Sequence, residues 1–78
     1  MNFLNLKYFV LAAEELNFTR AAKRLYVSQQ SLSNHITKLE EHFGTKLFDR
    51  TPPMTLTPAG QSFYKNALSL LDLEKQTE

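Results

Sequence analysis

A chain of 78 residues can form one small domain with a modest core, and the absence of cysteine excludes disulfides and sulfur-ligated zinc. Hydrophobic residues make up 42% of the chain and charged residues 22%, which excludes an intrinsically disordered protein; the net charge of +1 favours no particular partner. No basic leader followed by an apolar run and no membrane-length apolar stretch is present, so we expect a soluble, cytoplasmic protein.

The first helix is predicted from about Asn5 to Leu16, with Asn2 or Asn5 as its cap. Its inner stripe, spaced by three and four residues, consists of Leu6, Phe9, Ala13 and Leu16. A short second helix follows, for which Asn17 is a turn residue and Thr19 the predicted N-cap. The inner face of this second helix consists of Ala21, Ala22 and Leu25. Its two alanines allow another helix to approach closely.

A third helix should begin after Ser28, whose hydroxyl can accept from free backbone amides, and end at Gly44 in a left-handed C-cap. Its predicted buried stripe is Leu32, Ile36, Leu39 and Phe43. A short helix, a turn and a longer helix form a helix-turn-helix arrangement.

Two short alternating runs, "KLFDR" and "MTLT", follow Gly44 and predict a small hairpin whose tip contains Pro52 and Pro53. Thr57 should cap a last helix that Pro58 opens. Two adjacent apolar stripes on that helix consist of Phe63, Ala67 and Leu70, and of Tyr64, Leu68 and Leu71. This wide face either meets a partner chain or packs entirely on the domain's own core.

The outward face of the third helix is polar and carries no acid near its start. At about 100° per residue, it lies opposite Leu32. The side chains expected there are Gln29, Gln30, Ser33, Asn34 and Thr37. Amides and hydroxyls both donate and accept hydrogen bonds, as base edges in a major groove require. The alternative is an ordinary solvated helix surface.

The charge distribution gives weaker support for nucleic acid. No acidic residue occurs between Glu15 and Glu40. The cations of this window are Arg20, Lys23, Arg24 and Lys38. A basic zone bounded by acids indicates nucleic acid binding only weakly, because a solvated helix face has the same composition.

Other chemistry has little support. His35 and His42 are seven residues apart, about 10 Å along a helix, and the neighbouring acids do not complete a zinc signature. We expect His35 to be a surface imidazole and Asp49 to form a surface ion pair with Arg50. We therefore expect no metal, no cofactor and no enzymatic activity.

The stretch "YFVLAAEELNFTRAAKRLYVSQQSLSNHITKLEEHFGTKLFDR", followed by "LTPAG", resembles the N-terminal DNA-binding domain of LysR-type bacterial transcription regulators. The resemblance implies a mainly α fold: a winged helix-turn-helix of three helices and a β-hairpin wing over residues 1–58, with its motif at about 18–37. A long linker helix over residues 59–78 would pair two subunits. By the same resemblance, Gln29, Gln30, Ser33 and Asn34 face bases. Residues near phosphates would be Thr19, Arg20, Ser28, Ser31 and Lys38.

The chain departs from the family pattern, which commonly has proline at position 30, a small apolar residue at 31 and arginine at 34. Here these positions hold Gln30, Ser31 and Asn34. An amide at position 34 suits adenine better than guanine, so no target sequence carries over. The wing tip has prolines where the family often has arginine. Arg50 remains as the wing's phosphate-contacting cation. We therefore expect electrostatic attraction to supply a smaller share of the DNA affinity than in family members with arginine at the wing tip.

We therefore expect a dimeric, sequence-specific transcription regulator domain that binds double-stranded DNA at an interrupted inverted repeat. The dimerisation residues would be Phe63, Tyr64, Ala67, Leu68, Leu70 and Leu71. A small-molecule effector would act only through a C-terminal domain that this sequence lacks, so we expect a fragment or a truncated regulator. Two alternatives remain: a helical interaction module without DNA binding, and a molybdate-type regulator that shares the helix-turn-helix.

Overall fold

The computed structural model describes residues 2–77, and the side chains of residues 2–72. The chain forms four helices and a two-stranded antiparallel hairpin. In chain order the elements are α1 (Phe3–Glu15), α2 (Phe18–Leu25), α3 (Gln29–Phe43), β1 (Phe48–Asp49), β2 (Thr55–Leu56) and α4 (Pro58–Thr77). The predicted winged helix-turn-helix fold, with a long final helix, is confirmed.

Helix α1 begins two residues earlier than predicted because Asn2 caps it, accepting a 3.0 Å hydrogen bond from the backbone N–H of Asn5. It also ends earlier, at Glu15. Leu16 adopts the left-handed conformation, with φ of 49°, and is 37% exposed. The prediction that Leu16 belongs to the inner stripe is therefore wrong, because a left-handed C-cap turns its side chain away from the helical rows.

Helix α2 is capped by Asn17, whose side-chain oxygen accepts a 2.9 Å hydrogen bond from the backbone N–H of Arg20. The prediction of Thr19 as the N-cap is wrong. Asparagine is the stronger cap, and a start at residue 18 also buries Phe18 in the core. Ala21 and Ala22 are buried as predicted, where α2 packs against α1 and α3.

Helix α3 has both predicted ends: the Ser28 hydroxyl accepts from the backbone N–H of Ser31, and Gly44 ends the helix with φ of 68°. Leu32, Ile36 and Leu39 are buried as expected. Phe43 is 41% exposed, so its predicted burial is wrong. It lies in the last turn, at the edge of the core, where its ring contacts the rings of Phe63 and His42.

The wing is short, and it is anchored in the core at its base. Phe48 pairs with Leu56 and Asp49 with Thr55 across the hairpin. Phe48 is 2% exposed, and its ring lies 5.5 Å from that of Phe9 and 5.3 Å from that of Phe18, measured between centroids. These contacts fix the position of β1 relative to α1 and α2.

Helix α4 starts as predicted: the Thr57 hydroxyl accepts from the backbone N–H of Gly60, and Pro58 occupies the first helical position. Its first turns pack on α1, with the Phe63 ring 4.7 Å from the Phe9 ring.

The wide apolar face of α4 packs on the domain's own core only in part. Ala67 is buried, and Phe63, Tyr64 and Leu71 are half-buried. Leu68 and Leu70 remain 40% and 47% exposed. Among the described residues, no helix is both long and apolar enough to cross a membrane.

Candidate nucleic-acid interface

The outward face of α3 is polar and accessible along its first two turns. Gln29, Gln30, Asn34 and Thr37 are exposed and Ser33 is half-buried. On the other side of the helix, Leu32 and Ile36 are fully buried. Apolar contacts therefore hold the helix in place while its hydrogen-bonding side faces outward, as the periodicity predicted.

Two hydrogen bonds organise this polar face. The Thr19 hydroxyl, at the start of α2, donates a 2.9 Å bond to Oε1 of Gln29, at the start of α3. Within α3, Nε2 of Gln30 donates a 3.0 Å bond to Oδ1 of Asn34, one turn further on. Two separate pairs of polar side chains, Thr19 with Gln29 and Gln30 with Asn34, are thus held together on this face.

Arg50 joins the wing to the helix-turn-helix. Its Nη1 donates a 3.2 Å hydrogen bond to Oγ of Ser33, and its guanidinium carbon lies 4.8 Å from the centroid of the Phe18 ring. A cation over an aromatic face is held by the ring quadrupole. The guanidinium therefore lies on the domain, between α2 and α3, with 41% of its side chain exposed.

The predicted ion pair between Asp49 and Arg50 is wrong. Asp49 instead accepts a 3.0 Å hydrogen bond from the backbone N–H of Thr51. Arg50 follows the end of β1 and contacts Ser33 of α3, whereas Asp49 is bonded within the wing. The carboxylate nearest to Arg50 is that of Glu40, 3.9 Å away.

Glu40 has a structural role that the sequence reading missed. It is only 4% exposed, and its Oε2 accepts hydrogen bonds from the backbone N–H groups of Leu47 at 2.8 Å and Phe48 at 3.2 Å. A helical wheel offers a partial signal: Glu40 lies about 80° from Leu32, at the border of the buried stripe, whereas Glu41 lies opposite. Nothing in the local pattern indicates which amides it accepts from.

The basic residues of α2 are largely paired with acids of α1. Nε of Arg20 lies 3.2 Å from Glu15, and Nη1 of Arg24 lies 3.1 Å from Glu14 and 3.0 Å from Glu15. Hydrogen bonds from Arg20 and then Arg24 lower the pKa of Glu15 below its ordinary value, and those from Glu14 and Glu15 raise the pKa of Arg24.

The segment between Glu15 and Glu40 contains no acid in the sequence, but acids lie beside it in the folded chain. Because α1 and α2 pack together, Glu14 and Glu15 lie beside two of the four cations of that window. Lys23 and Lys38 are exposed and form no ion pair within the part of the chain that the structure describes.

His35 differs from the expected surface imidazole. It is half-buried between α3 and α1, where its Nε2 is hydrogen-bonded to Oδ1 of Asn5 and its ring centroid lies 4.5 Å from that of Tyr8. Within residues 2–72, no cluster of three or more histidine, aspartate or glutamate side chains is arranged to hold a metal ion.

A short helix and a longer polar helix joined by a turn, with a β-hairpin behind them, define the class of winged helix-turn-helix domains. The family model described as "Bacterial regulatory helix-turn-helix protein, lysR family" matches residues 3–61. The chain belongs to this family.

Curated relatives extend well beyond the matched region. The chain is 45% identical over 74 residues to the HTH-type transcriptional regulator CatR of Pseudomonas putida, covering 95% of this chain and 26% of that protein. It is 50% identical over 74 residues to the HTH-type transcriptional regulator BudR of Klebsiella aerogenes, covering 94% of this chain and 52% of that protein. The chain thus spans between about a quarter and about half of the length of these relatives.

Solved structures share the fold closely. The DNA-binding domain of BenM in complex with catB site 1 DNA has a TM-score of 0.94 and 41% identity, covering 99% of this chain and 87% of that one. The DNA-binding domain of CbnR in complex with DNA has a TM-score of 0.91 and 38% identity, covering 99% of this chain and 90% of that one.

Proposed function

We propose that this chain is the sequence-specific DNA-binding domain of a transcription regulator, which inserts α3 into the major groove. The observation that carries the proposal is the two-sided character of α3: Leu32 and Ile36 are fully buried, whereas the opposite side offers uncharged amides and hydroxyls to solvent. The resemblance to domains solved in complex with DNA supports the same function.

Two groups of side chains would contact DNA in different ways. Residues on the outward face would read base edges, which carry the sequence information. This group consists of Gln29, Gln30, Ser33, Asn34 and Thr37. Residues around that face would contact phosphates and set the register of the domain on the duplex. This second group consists of Thr19, Arg20, Ser28, Ser31, Lys38 and Arg50.

Lys38 is the strongest candidate among the phosphate-contacting cations. It is exposed on α3 and forms no ion pair with the described residues, so its charge is available to a phosphate. Arg20 would have to share its guanidinium with Glu15, and Arg50 with Ser33 and Glu40. We therefore assign a larger part of the salt-dependent affinity to Lys38 than to either arginine.

Residues 1–58 would form the DNA-binding unit and 59–78 a linker helix that pairs two subunits. Met1, Glu78 and the side chains of 73–78 lie outside the described residues. Leu68 and Leu70 are exposed, whereas Phe63, Ala67 and Leu71 of the same helix pack on the core, and this exposure supports a second chain at this face. A two-fold dimer would place one α3 in each half of an interrupted inverted repeat. An effector would act through a further domain of the whole regulator, which would work in the bacterial cytoplasm.

The proposal is tested by comparing two alanine variants on a preferred site and on random duplex DNA. Asn34→Ala should cost about 1–3 kcal/mol on the preferred site and much less on random DNA, because it removes a base contact. Lys38→Ala should weaken binding to both DNAs alike and reduce the salt dependence, because it removes a phosphate contact. If Asn34→Ala leaves the preference unchanged, the role of Asn34 is wrong.

A gel-shift titration of the unsubstituted chain against random duplex DNA at two salt concentrations tests the function itself. We expect binding that weakens as salt rises. Absence of salt-sensitive binding would instead favour an interaction module whose working surface is α4.

A further inference from the structure

We infer that a cleft between α1 and α3 binds one backbone phosphate of DNA, which Lys38 and the protonated form of His35 hold together. The inference rests on the proposed function and adds to it a contact, His35, whose charge depends on pH. DNA affinity should therefore rise as the pH falls through the range in which histidine gains a proton.

The cleft runs along one flank of α3 and has a volume of about 460 Å³. Its polar lining residues are Asn5 of α1 and, from α3, Ser31, Asn34, His35, Lys38 and His42. Within the part of the chain that the structure describes, no carboxylate lines this cleft. Such a lining suits an anion, because Lys38 attracts a negative charge and no acid beside it repels one.

The cleft borders the surface of α3 that would read bases. At about 100° per residue, Lys38 lies on one flank of that surface and Ser33, which is bonded to Arg50, lies on the other. A major groove about 12 Å wide barely admits a helix of about 10–12 Å diameter, so both flanks of an inserted helix approach phosphates. The cleft and Arg50 would therefore meet different strands of the duplex.

His35 is held at the wall of the cleft by two contacts with α1. Its Nε2 is hydrogen-bonded to Oδ1 of Asn5, and its ring centroid lies 4.5 Å from that of Tyr8. Its Nδ1 has no hydrogen-bond partner among residues 2–72, and no fully buried polar side-chain atom of those residues lacks a partner, so Nδ1 is open to solvent. Protonation makes both ring nitrogens donors. The imidazolium can thus keep its bond to Asn5 and offer a second N–H and a positive charge to an anion.

The groups around His35 determine the direction of the pH effect. Asn5 and Tyr8 face it from α1, and Lys38 and His42 line the same cleft from α3. None of these side chains is a carboxylate, whereas a bound phosphate would place a negative charge beside the ring and favour its protonated form. By linkage, DNA then binds more tightly at the pH at which His35 is protonated.

The first test measures binding of the 78-residue chain to random duplex DNA at about pH 6 and about pH 8, at constant ionic strength. We expect roughly threefold to tenfold tighter binding at the lower pH, which is the size of one charge contact near a protein surface. His35→Gln keeps an N–H donor for Asn5 but cannot gain a proton, so it should remove most of this difference.

The outcomes of this test separate the inference from the proposed function. Binding that does not depend on pH, or the same pH dependence in His35→Gln, would overturn the inference and leave the proposed function intact. Absence of binding at both pH values would overturn the proposed function as well. Circular dichroism of each variant verifies that it is folded under the conditions of the binding measurement.

His42→Gln is the matched control, because His42 lines the same cleft. It lies seven residues from His35, about 10 Å along the helix axis, whereas Lys38 is three residues from His35 and its neighbour on the helix surface. A phosphate held between His35 and Lys38 is therefore out of reach of His42. We expect His42→Gln to retain most of the pH dependence. A loss equal to or larger than that of His35→Gln would overturn the assignment to His35.

Replacing single phosphates of a selected site with neutral methylphosphonates locates the contact. At about pH 6, we expect one linkage in each half-site at which the replacement weakens binding of the unsubstituted chain severalfold. The penalty at that linkage should shrink for both His35→Gln and Lys38→Ala. It should not shrink for Lys23→Ala, since Lys23 is an exposed cation of α2 that does not line the cleft. If no linkage loses its penalty in both of the first two variants, His35 and Lys38 do not share a phosphate and the inference is wrong.

Discussion

The carboxylate of Glu40 accepts a 2.8 Å hydrogen bond from the backbone N–H of Leu47, which joins α3 directly to the residue that leads into the wing. The same oxygen accepts from Phe48, and the other carboxylate oxygen lies 3.9 Å from Arg50. One buried acid thus ties the wing's first strand to the helix that carries the polar face.

Glu40→Ala should lower the free energy of unfolding by about 2–4 kcal/mol, because it leaves two buried backbone N–H groups without an acceptor. Glu40→Gln keeps an oxygen acceptor and should cost less. Urea unfolding followed by circular dichroism measures both. The control is Glu41→Ala at the exposed neighbouring position, for which we expect a change within about 0.5 kcal/mol. Equal losses for Glu40→Ala and Glu41→Ala would contradict the anchoring role.

Gly60→Ala should destabilise the domain through a direct clash. A Cβ at this position would lie 2.0 Å from the backbone oxygen of Leu47, so α4 or the wing would have to move. We expect a loss of about 3 kcal/mol, at the upper end of the usual cost of overpacking. Thermal unfolding measured by calorimetry would report it as a lower midpoint temperature.

Gly44→Ala is the matched control for the clash at Gly60. No atom lies within 4 Å of a Cβ at Gly44, and its cost should come only from the left-handed φ of 68°. That conformational cost is about 1–2 kcal/mol. A smaller loss for Gly60→Ala than for Gly44→Ala would show that α4 does not approach Leu47 as closely as the structure has it.

The contacts of Glu15 with Arg20 and Arg24 predict a pH-dependent contribution to stability. These hydrogen bonds lower the pKa of the folded carboxyl below its ordinary value of 4.5, so the unfolded state takes up the proton first as pH falls. This contribution to stability is therefore present above pH 4.5 and is lost as the pH falls through the lower pKa of the folded state. Glu15→Gln should unfold at a lower temperature than the unsubstituted chain at pH 7.

Thermal unfolding of both chains between pH 7 and pH 3 checks this expectation. The difference between their midpoint temperatures should shrink as the pH falls below 4.5. A difference that stays constant over this range would mean that the contacts of Glu15 in the folded state do not depend on its charge.

Local signals in the sequence predicted much of the fold. The caps at Ser28, Gly44 and Thr57 were found because capping depends on one side chain or one φ value and on amides within a single turn. The orientation of α3 followed from helical periodicity, since the spacing of Leu32, Ile36 and Leu39 defines one buried side. Asn17 and Thr19 are both possible caps, so the local signal there is ambiguous, and the prediction of Thr19 is wrong.

What the sequence by itself determined is therefore which side of each helix turns inward and which polar side chains α3 leaves exposed. Only the tertiary structure decided what those side chains meet. It paired Arg20 and Arg24 with acids of α1, placed Arg50 against Phe18 and Ser33, and buried Glu40 beneath the wing. Periodicity supplies an angle around one helix axis, whereas a contact between elements depends on the distance and crossing of two axes, which no local pattern encodes.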